Sequence, residues 1–351
     1  MKIKAFYGRY GFKLSRSDSG INTLGGYIKY SQIEWTGIRS KTSPLALFTD
    51  GFLKSRWIAK SKNTINVGIS LEPREINPRI FQDMQSCHGL LDLILTHDKE
   101  ICKKFENASY FVTGGTLFKN HDFLQQREKN GRISIVISDK KVTEGHRLRH
   151  EILEFLGNSE LVDVFGIGVN PFEDRNVPFS EYSYTIVVEN VKSEVFLTEK
   201  LIDPLLVCCV PIYWGASNID DFFDGSGIIH FNNLQDLKRV IDSVSKGEVS
   251  IPHATLKRNQ RFAVDLMSKE WNIQTAISKE LYGINLPKLS SLIPDFDSFV
   301  AGKITFGVAE PEIFRNQKSR NSKNVGIQSR LHFVGEFIRL IQSLRAKYWK
   351  I

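Results

Sequence analysis

Residues 184–215 read YTIVVENVKSEVFLTEKLIDPLLVCCVPIYWG. Tyr184–Val188 is short, apolar and β-branched, which predicts a strand. It runs into Glu189-Asn190 and a loop. Thr198-Glu199-Lys200 then opens a helix predicted over Thr198–Val207, and Val210–Trp214 predicts a second strand that ends at Gly215. Strand, loop, helix and strand in this order form the repeating unit of a parallel α/β sheet. The apolar run Pro204–Ala216 is broken by Pro211 and falls short of the roughly 18 residues that span a bilayer.

The start of the helix carries chemistry. Threonine is a favourable N-cap, and an acid just inside a helix start suits the helix dipole. Free N–H groups there also form an anion site. A lysine in the first turn opposes the dipole, so Lys200 fits a negative ligand such as a pyrophosphate. Glu199 beside it is placed to accept hydrogen bonds from sugar or ribose hydroxyls. The plain alternative is an ordinary capped surface helix.

Working outward, apolar runs alternate with amphipathic stretches. Strands are predicted at Leu45–Thr49, Ile65–Leu71, Leu91–Thr96, Ile133–Ser138, Leu161–Phe165 and Ile228–Phe231. Helices are predicted at Asn77–Cys87, Lys99–Phe105, His146–Leu156, Leu234–Ser245 and Leu256 to about Leu281. The polar segment Gln125–Gly131 separates two sets of elements. The expected organisation is an α/β domain over residues 1–128, a second over 129–290, and an extension over 291–351. Open α/β sheets bind ligands beyond the carboxyl ends of their strands, so a cleft between two such domains suits nucleotide chemistry.

The chain has 351 residues, 41% of them hydrophobic and 25% charged, which is globular composition. It carries 47 Lys+Arg against 39 Asp+Glu, a net charge of +8. That surplus suits an anionic partner without choosing phosphate, nucleic acid or an acidic membrane. Much of it is local to residues 315–350, where Glu336 is the one acid. A nucleic-acid reading finds no recognised motif, so none is expected as a partner. Cys87, Cys102, Cys208 and Cys209 show no CxxC spacing and read as small buried hydrophobes in a reducing compartment, without structural zinc. Asp295-Phe296-Asp297 is a chance-level acidic pair, and His146 and His150 read as solvated or capping residues rather than ligands. The mixed start Met1–Gly8 does not read as a signal peptide, and a cytoplasmic protein is expected.

Glu189-Asn190, Thr198-Glu199-Lys200 and Val210–Gly215 resemble the signature of glycosyltransferase family 10, the α1,3/4-fucosyltransferases, whose pattern runs roughly FENS…YVTEK…VPV..G. With weaker matches the resemblance reaches from about Ile69 to Phe231. It implies a GT-B-like fold of two Rossmann-like α/β domains facing a cleft. It also implies inverting, metal-independent transfer of fucose from GDP-fucose to a glycan hydroxyl, with no cofactor. The family places a phosphate-binding arginine on the first helix of the donor domain, followed by a leucine and an aromatic-Gly pair. Arg149, Leu156 and Phe165-Gly166 fit those offsets, with Arg147 as the fallback. Donor contacts are implied at Glu189, Asn190, Phe196, Thr198, Glu199 and Lys200. The family's base is the glutamate of a Glu-x-Pro motif; here Glu72-Pro73 follows a predicted strand without the spacer, and Glu72 is the expected base. His97-Asp98 is a second strand-end pair and ranks below it. Phe196 stands for the family's tyrosine, Val191 for its serine and Cys209 for its glycine. These departures keep open another nucleotide sugar, or a degenerate glycan-binding protein without catalysis.

In the tail, Leu331, Val334, Phe337, Ile338, Ile341 and Leu344 recur at helical spacing beside Arg339, Arg345 and Lys347. One reading is a terminal helix docked on the body. The other is a basic amphipathic helix in peripheral contact with an anionic membrane.

Overall fold

The computed structural model describes residues 64–268 except 113–114, 119–126, 158, 167 and 195, together with 3–8, 21–22, 27–28, 33–36, 45–49, 52–54 and 58. In chain order the first half comprises β1 (Ile3–Gly8), β2 (Ile21–Asn22), β3 (Tyr27–Ile28), β4 (Ile33–Thr36), β5 (Leu45–Thr49), β6 (Ile65–Ile69), α1 (Pro78–Cys87), β7 (Leu93–Thr96), α2 (Lys99–Lys104) and β8 (Ala108–Tyr110). The second half comprises β9 (Ile133–Ile137), α3 (Glu144–Leu156), β10 (Val162–Gly166), β11 (Tyr184–Val188), α4 (Glu199–Leu206), β12 (Val210–Trp214), β13 (Ile229–His230), α5 (Leu234–Ser245) and α6 (His253–Ser268).

Two parallel sheets result. The first has the order β4-β1-β5-β6-β7-β8 and the second β10-β9-β11-β12-β13, while β2 and β3 pair as a small antiparallel ribbon. Both sheets lie in one compact unit, Met1–Val308. Two Rossmann-like sheets sharing one cavity, described below, make a GT-B-like α/β fold.

Strand alternation supplies two cores at the second sheet. Ile186 and Val188 of β11, with Ile212 and Trp214 of β12, point to one face, where Ile152 and Leu156 of α3 cover them. Val187 and Tyr213 point to the other, against Leu201, Leu205 and Leu206 of α4. Parallel sheets are covered on both faces, which explains why these strands read as unbroken apolar runs. The first half has its own core of Phe48, Ile80, Phe81, Met84 and Ile94.

The segment after β8 joins the halves, because Val112 and Phe118 pack into the core around α4. Three further contacts cross between them. The ring of His97, after β7, lies 4.8 Å from that of Phe196, before α4. Lys99 of α2 pairs with Glu194 at 2.7 Å. Asp203 of α4 accepts from the Thr116 hydroxyl at 2.6 Å and the Leu117 amide at 3.1 Å.

Lys129 ties the second half together internally. Its ammonium donates to the carbonyls of Ser180 at 2.8 Å, Val207 at 2.9 Å and Phe179 at 3.3 Å. Burial lowers its pKa from the ordinary lysine value.

Several boundaries differ from the sequence reading. Helix α3 begins at Glu144, because Thr143 caps it: the His146 amide donates to the Thr143 hydroxyl, and the Thr143 amide donates back to His146 Nδ1. Strand β6 ends at Ile69, β7 begins at Leu93 and β10 is shifted by one residue, to Val162–Gly166. Strand β13 is confined to Ile229–His230. Helix α6 starts early, at His253, behind Pro252. Strands β1 and β4 were not expected, since Lys4, Glu34 and Thr36 interrupt their apolar pattern. The predicted continuation to Leu281, Asp295–Asp297 and the tail helix lie outside the described residues. Among the described residues no helix is long and apolar enough to cross a membrane.

Two tests follow from this packing. A Cβ at Gly145, in the first turn of α3, would sit 1.8 Å from the Glu189 carbonyl oxygen, whereas one at Gly89 meets nothing within 4 Å. Gly145→Ala is expected to destabilise by about 1–3 kcal/mol, as overpacking does, and Gly89→Ala to stay near wild type in urea melts. The second concerns acid. Burial, with smaller electrostatic contributions, lowers the pKa of His97 and of His146 from 6.5 to about 4. The unfolded chain takes up protons that these rings refuse, so stability is full above about pH 6.5 and falls as pH drops towards 4. Each ring should cost about 2 kcal/mol by about pH 5. His97→Phe, which keeps a ring against Phe196, should remove roughly half of that acid loss in thermal melts.

Candidate active site

Strand β9 leads through α3 to β10 on one side, while β11 pairs with β9 on the other. The chain therefore reverses direction across the sheet between β9 and β11. At such a switch point the loops part and leave a crevice beyond the strand ends. The observed cavity, about 300 Å³, sits there. Val136–Ser138 and Ile186–Val188 form its floor, and Lys140, Arg149, Arg175 and Lys200 stand in its wall with Glu199 and Asn190. Glu72, from the loop after β6, and Leu117, from the joining segment, close it from the other half.

Helix α4 owes its position to Glu189. This carboxylate is wholly buried at the end of β11. It accepts from the Thr198 amide and hydroxyl, both at 2.8 Å. Gly215 makes room, since a Cβ there would lie 2.6 Å from the Glu189 side chain. Thr198 in turn accepts from the Lys200 amide at 3.3 Å, capping the helix. Burial raises the Glu189 pKa above the ordinary carboxyl value, with Lys200 opposing.

Lys200 is held as tightly as a capping residue. Its ammonium lies 3.0 Å from Glu199 and 3.1 Å from the Thr198 hydroxyl, with Glu189 at 3.9 Å. Burial lowers its pKa, but Glu199 and Glu189 outweigh that and hold the cation. Burial pushes the Glu199 carboxyl up, while Lys200 and Arg175 together bring it below the ordinary range. The pair is thus an ion pair at neutral pH.

Arg149 is buried in α3, donating to the Gly145 carbonyl at 3.1 Å and to Asn190 Oδ1 at 2.7 Å. Burial lowers its pKa, against Glu189 and Glu199. Neither Arg149 nor Lys140 has a carboxylate ion pair among the described residues, so the wall keeps a positive surplus.

The structure thus gathers Glu72, Arg149, Asn190, Glu199 and Lys200 around one cavity. Four other expected site residues stand elsewhere. Glu189 is turned away from the cavity, its oxygens engaged by Thr198, and acts as a support. Thr198 is a buried cap whose hydroxyl serves Glu189. Phe196 is buried against His97. Arg147 is exposed and donates to the Val142 carbonyl, because two positions along a helix reach a different face. His97 and Asp98 do not line the cavity: His97 is buried between Phe81 and Phe196, and Asp98 caps α2 and pairs with Arg74 at 2.6 Å.

Sequence reading missed Lys140 and Arg175. Lys140 lies three residues past β9, where the strand-end rule would have found it. Arg175 belongs to an irregular stretch with no periodic signal, and its partner Asp203 is 28 residues away. Among the described residues no cluster of three or more His, Cys, Asp or Glu side chains is placed to hold a metal ion.

Residues 126–249 match the family model "Glycosyltransferase family 10 (fucosyltransferase) C-term". The GDP-fucose protein O-fucosyltransferase 3 of Xenopus laevis is 29% identical over 105 residues, 27% of this chain and 22% of that protein. The alpha-(1,4)-fucosyltransferase of Arabidopsis thaliana is 30% identical over 82 residues, 22% of this chain and 20% of that protein. The aligned stretches therefore span about a fifth of these relatives. A crystal structure of an alpha1,3-fucosyltransferase superposes with a TM-score of 0.47 at 15% identity, covering 75% of this chain and 80% of that one. The stretch that builds the cationic wall, residues 126–249, is thus the part of the chain that is similar to the C-terminal domain of glycosyltransferase family 10.

Proposed function

We propose that the chain is an inverting glycosyltransferase that moves fucose from GDP-fucose to the hydroxyl of a glycan. The observation that carries this reading is the convergence of Arg149, Lys140, Arg175 and Lys200 on one cavity that Glu72 closes from the opposite half. A family 10 domain supplies the wall, and relatives of that domain include a GDP-fucose transferase by name.

In the proposed step the acceptor oxygen attacks the anomeric carbon and the bond from that carbon to the phosphate oxygen breaks. The acceptor proton passes to Glu72, which is exposed and has no hydrogen bond or ion pair among the described residues. General-base help of this kind gives about 10²–10⁴-fold. The charge that develops on the departing nucleoside diphosphate is met by Lys200 and Arg149, fixed in advance by the Glu189–Thr198 contact and by Asn190. Such preorganised charge is commonly the largest catalytic contribution. Four cations can perform the neutralising role that a metal ion plays in other transferases, so the reading calls for no metal. Glu199 and Asn190 orient the donor through its hydroxyls. The protein is read as cytoplasmic, with the basic tail as its contact to an anionic membrane. A second nucleotide sugar is favoured only by Phe196, which stands where a hydroxyl-bearing tyrosine is usual.

Thermal melts with GDP, UDP, ADP and CMP test the donor. GDP at 100 times its Kd should stabilise by about 2.7 kcal/mol, with or without divalent metal. A shift with UDP alone would replace the donor, and no shift with any of them would overturn the reading. Release of GDP from GDP-fucose, measured with a panel of oligosaccharide acceptors, separates the roles. Lys200→Ala should lose transfer by about 10²–10³-fold and also weaken GDP. Glu72→Gln should lower kcat by about 10²–10⁴-fold with GDP affinity unchanged.

A further inference from the structure

We infer that Arg175 is a second guanidinium for the donor's diphosphate and that Asp203 is the positioning residue that aims it. This rests on the nucleotide-sugar reading above and adds to it a ligand-binding residue drawn from the irregular stretch between β10 and β11.

Arg175 lines the cavity with Arg149, Lys140 and Lys200. Its side chain is 15% exposed, and its Nε donates to Asp203 Oδ2 at 2.7 Å. The carboxylate of Asp203 is wholly buried, and its other oxygen takes the Thr116 hydroxyl and the Leu117 amide. The guanidinium carbon lies 5.0 Å from the Phe179 ring centre and 6.0 Å from that of Phe172. The inner nitrogen is therefore held by Asp203, and the guanidinium lies beside two aromatic rings.

The two outer nitrogens have no hydrogen-bond partner among the described residues. A guanidinium offers five N–H donors in a fixed fork, and here only the inner one is engaged. An anchored fork with free outer donors in a cationic wall matches the paired oxygens of a phosphate, which a lysine meets only as a point charge. If Arg175 served only to neutralise Asp203, the fork would be expected to face the carboxylate with both nitrogens. It turns a single one, and the residue lines the cavity.

The test compares GDP with guanosine by calorimetry on the full chain. The ratio of their affinities isolates what binds the diphosphate, and a fold defect weakens both alike. Arg175→Ala is expected to lower GDP affinity by about 10- to 100-fold, as loss of charge-assisted hydrogen bonds does, with guanosine unchanged. Asp203→Asn keeps an acceptor for Thr116 and Leu117 while releasing the guanidinium; it should give a smaller loss of the same kind, and the two losses should not add. If Arg175→Ala does not fold, Arg175→Gln, which can still donate to Asp203, carries the same comparison. A GDP-to-guanosine ratio that stays at the wild-type value overturns the inference and leaves Arg175 as a clip for the joining segment. Wild-type protein that binds none of the four nucleotides overturns the nucleotide-sugar reading itself. Should UDP be the nucleotide bound, UDP against uridine replaces the pair.

Discussion

A carboxylate with no access to water, Glu189, fixes the geometry of the second half. Burial of a charge is costly unless hydrogen bonds replace water, and here both oxygens receive them from Thr198. Removing that partner would leave the group orphaned, the expensive case. The contact therefore locks the start of α4 to the end of β11. The same corner holds α3, whose Gly145 amide donates to the Asn190 carbonyl at 3.1 Å. Asn190 then presents its side chain to Arg149. Lys200 and Arg149 thus hang from one loop, although they sit on different helices.

That arrangement puts like charges close together in a low-dielectric wall. Such a cluster is unfavourable, and the fold offsets it locally. Glu199 neutralises Lys200, Asp203 neutralises Arg175, and Arg149 is shared between a carbonyl and an amide oxygen. The outcome is a wall in which two cations are paired with carboxylates and Arg149 is held by neutral oxygens. Preorganisation at the expense of stability is the usual bargain at functional sites.

Much of the second sheet was legible because parallel strands buried on both faces leave dense apolar runs. Tyr184–Val188, Val210–Trp214 and Leu234–Ser245 have the boundaries read from sequence. Strands β1 and β4 were not, since Lys4 in one and Glu34 and Thr36 in the other break their short apolar runs. For the site, the helix start at Thr198 announced itself through capping chemistry. The role of Glu189 did not. A carboxylate at a strand end looks the same in sequence whether it faces a ligand or caps the next helix, and only the approach of Gly215 and Thr198 decides. Arg175 was illegible for a different reason: its meaning depends on Asp203 and Phe179, which tertiary folding alone brings to it.

Lys129 has a consequence for where the second half begins as a physical object. A fragment opening at Ile133 would retain every strand of the sheet, yet it would lose the ammonium that gathers the carbonyls of Phe179, Ser180 and Val207. Those carbonyls belong to the approach to β11 and to the end of α4, and they have little room to find water in their place. The minimal piece of chain able to keep these carbonyls paired is therefore set by a side chain in coil, a few residues ahead of β9. The 126–249 match starts far enough upstream to include it.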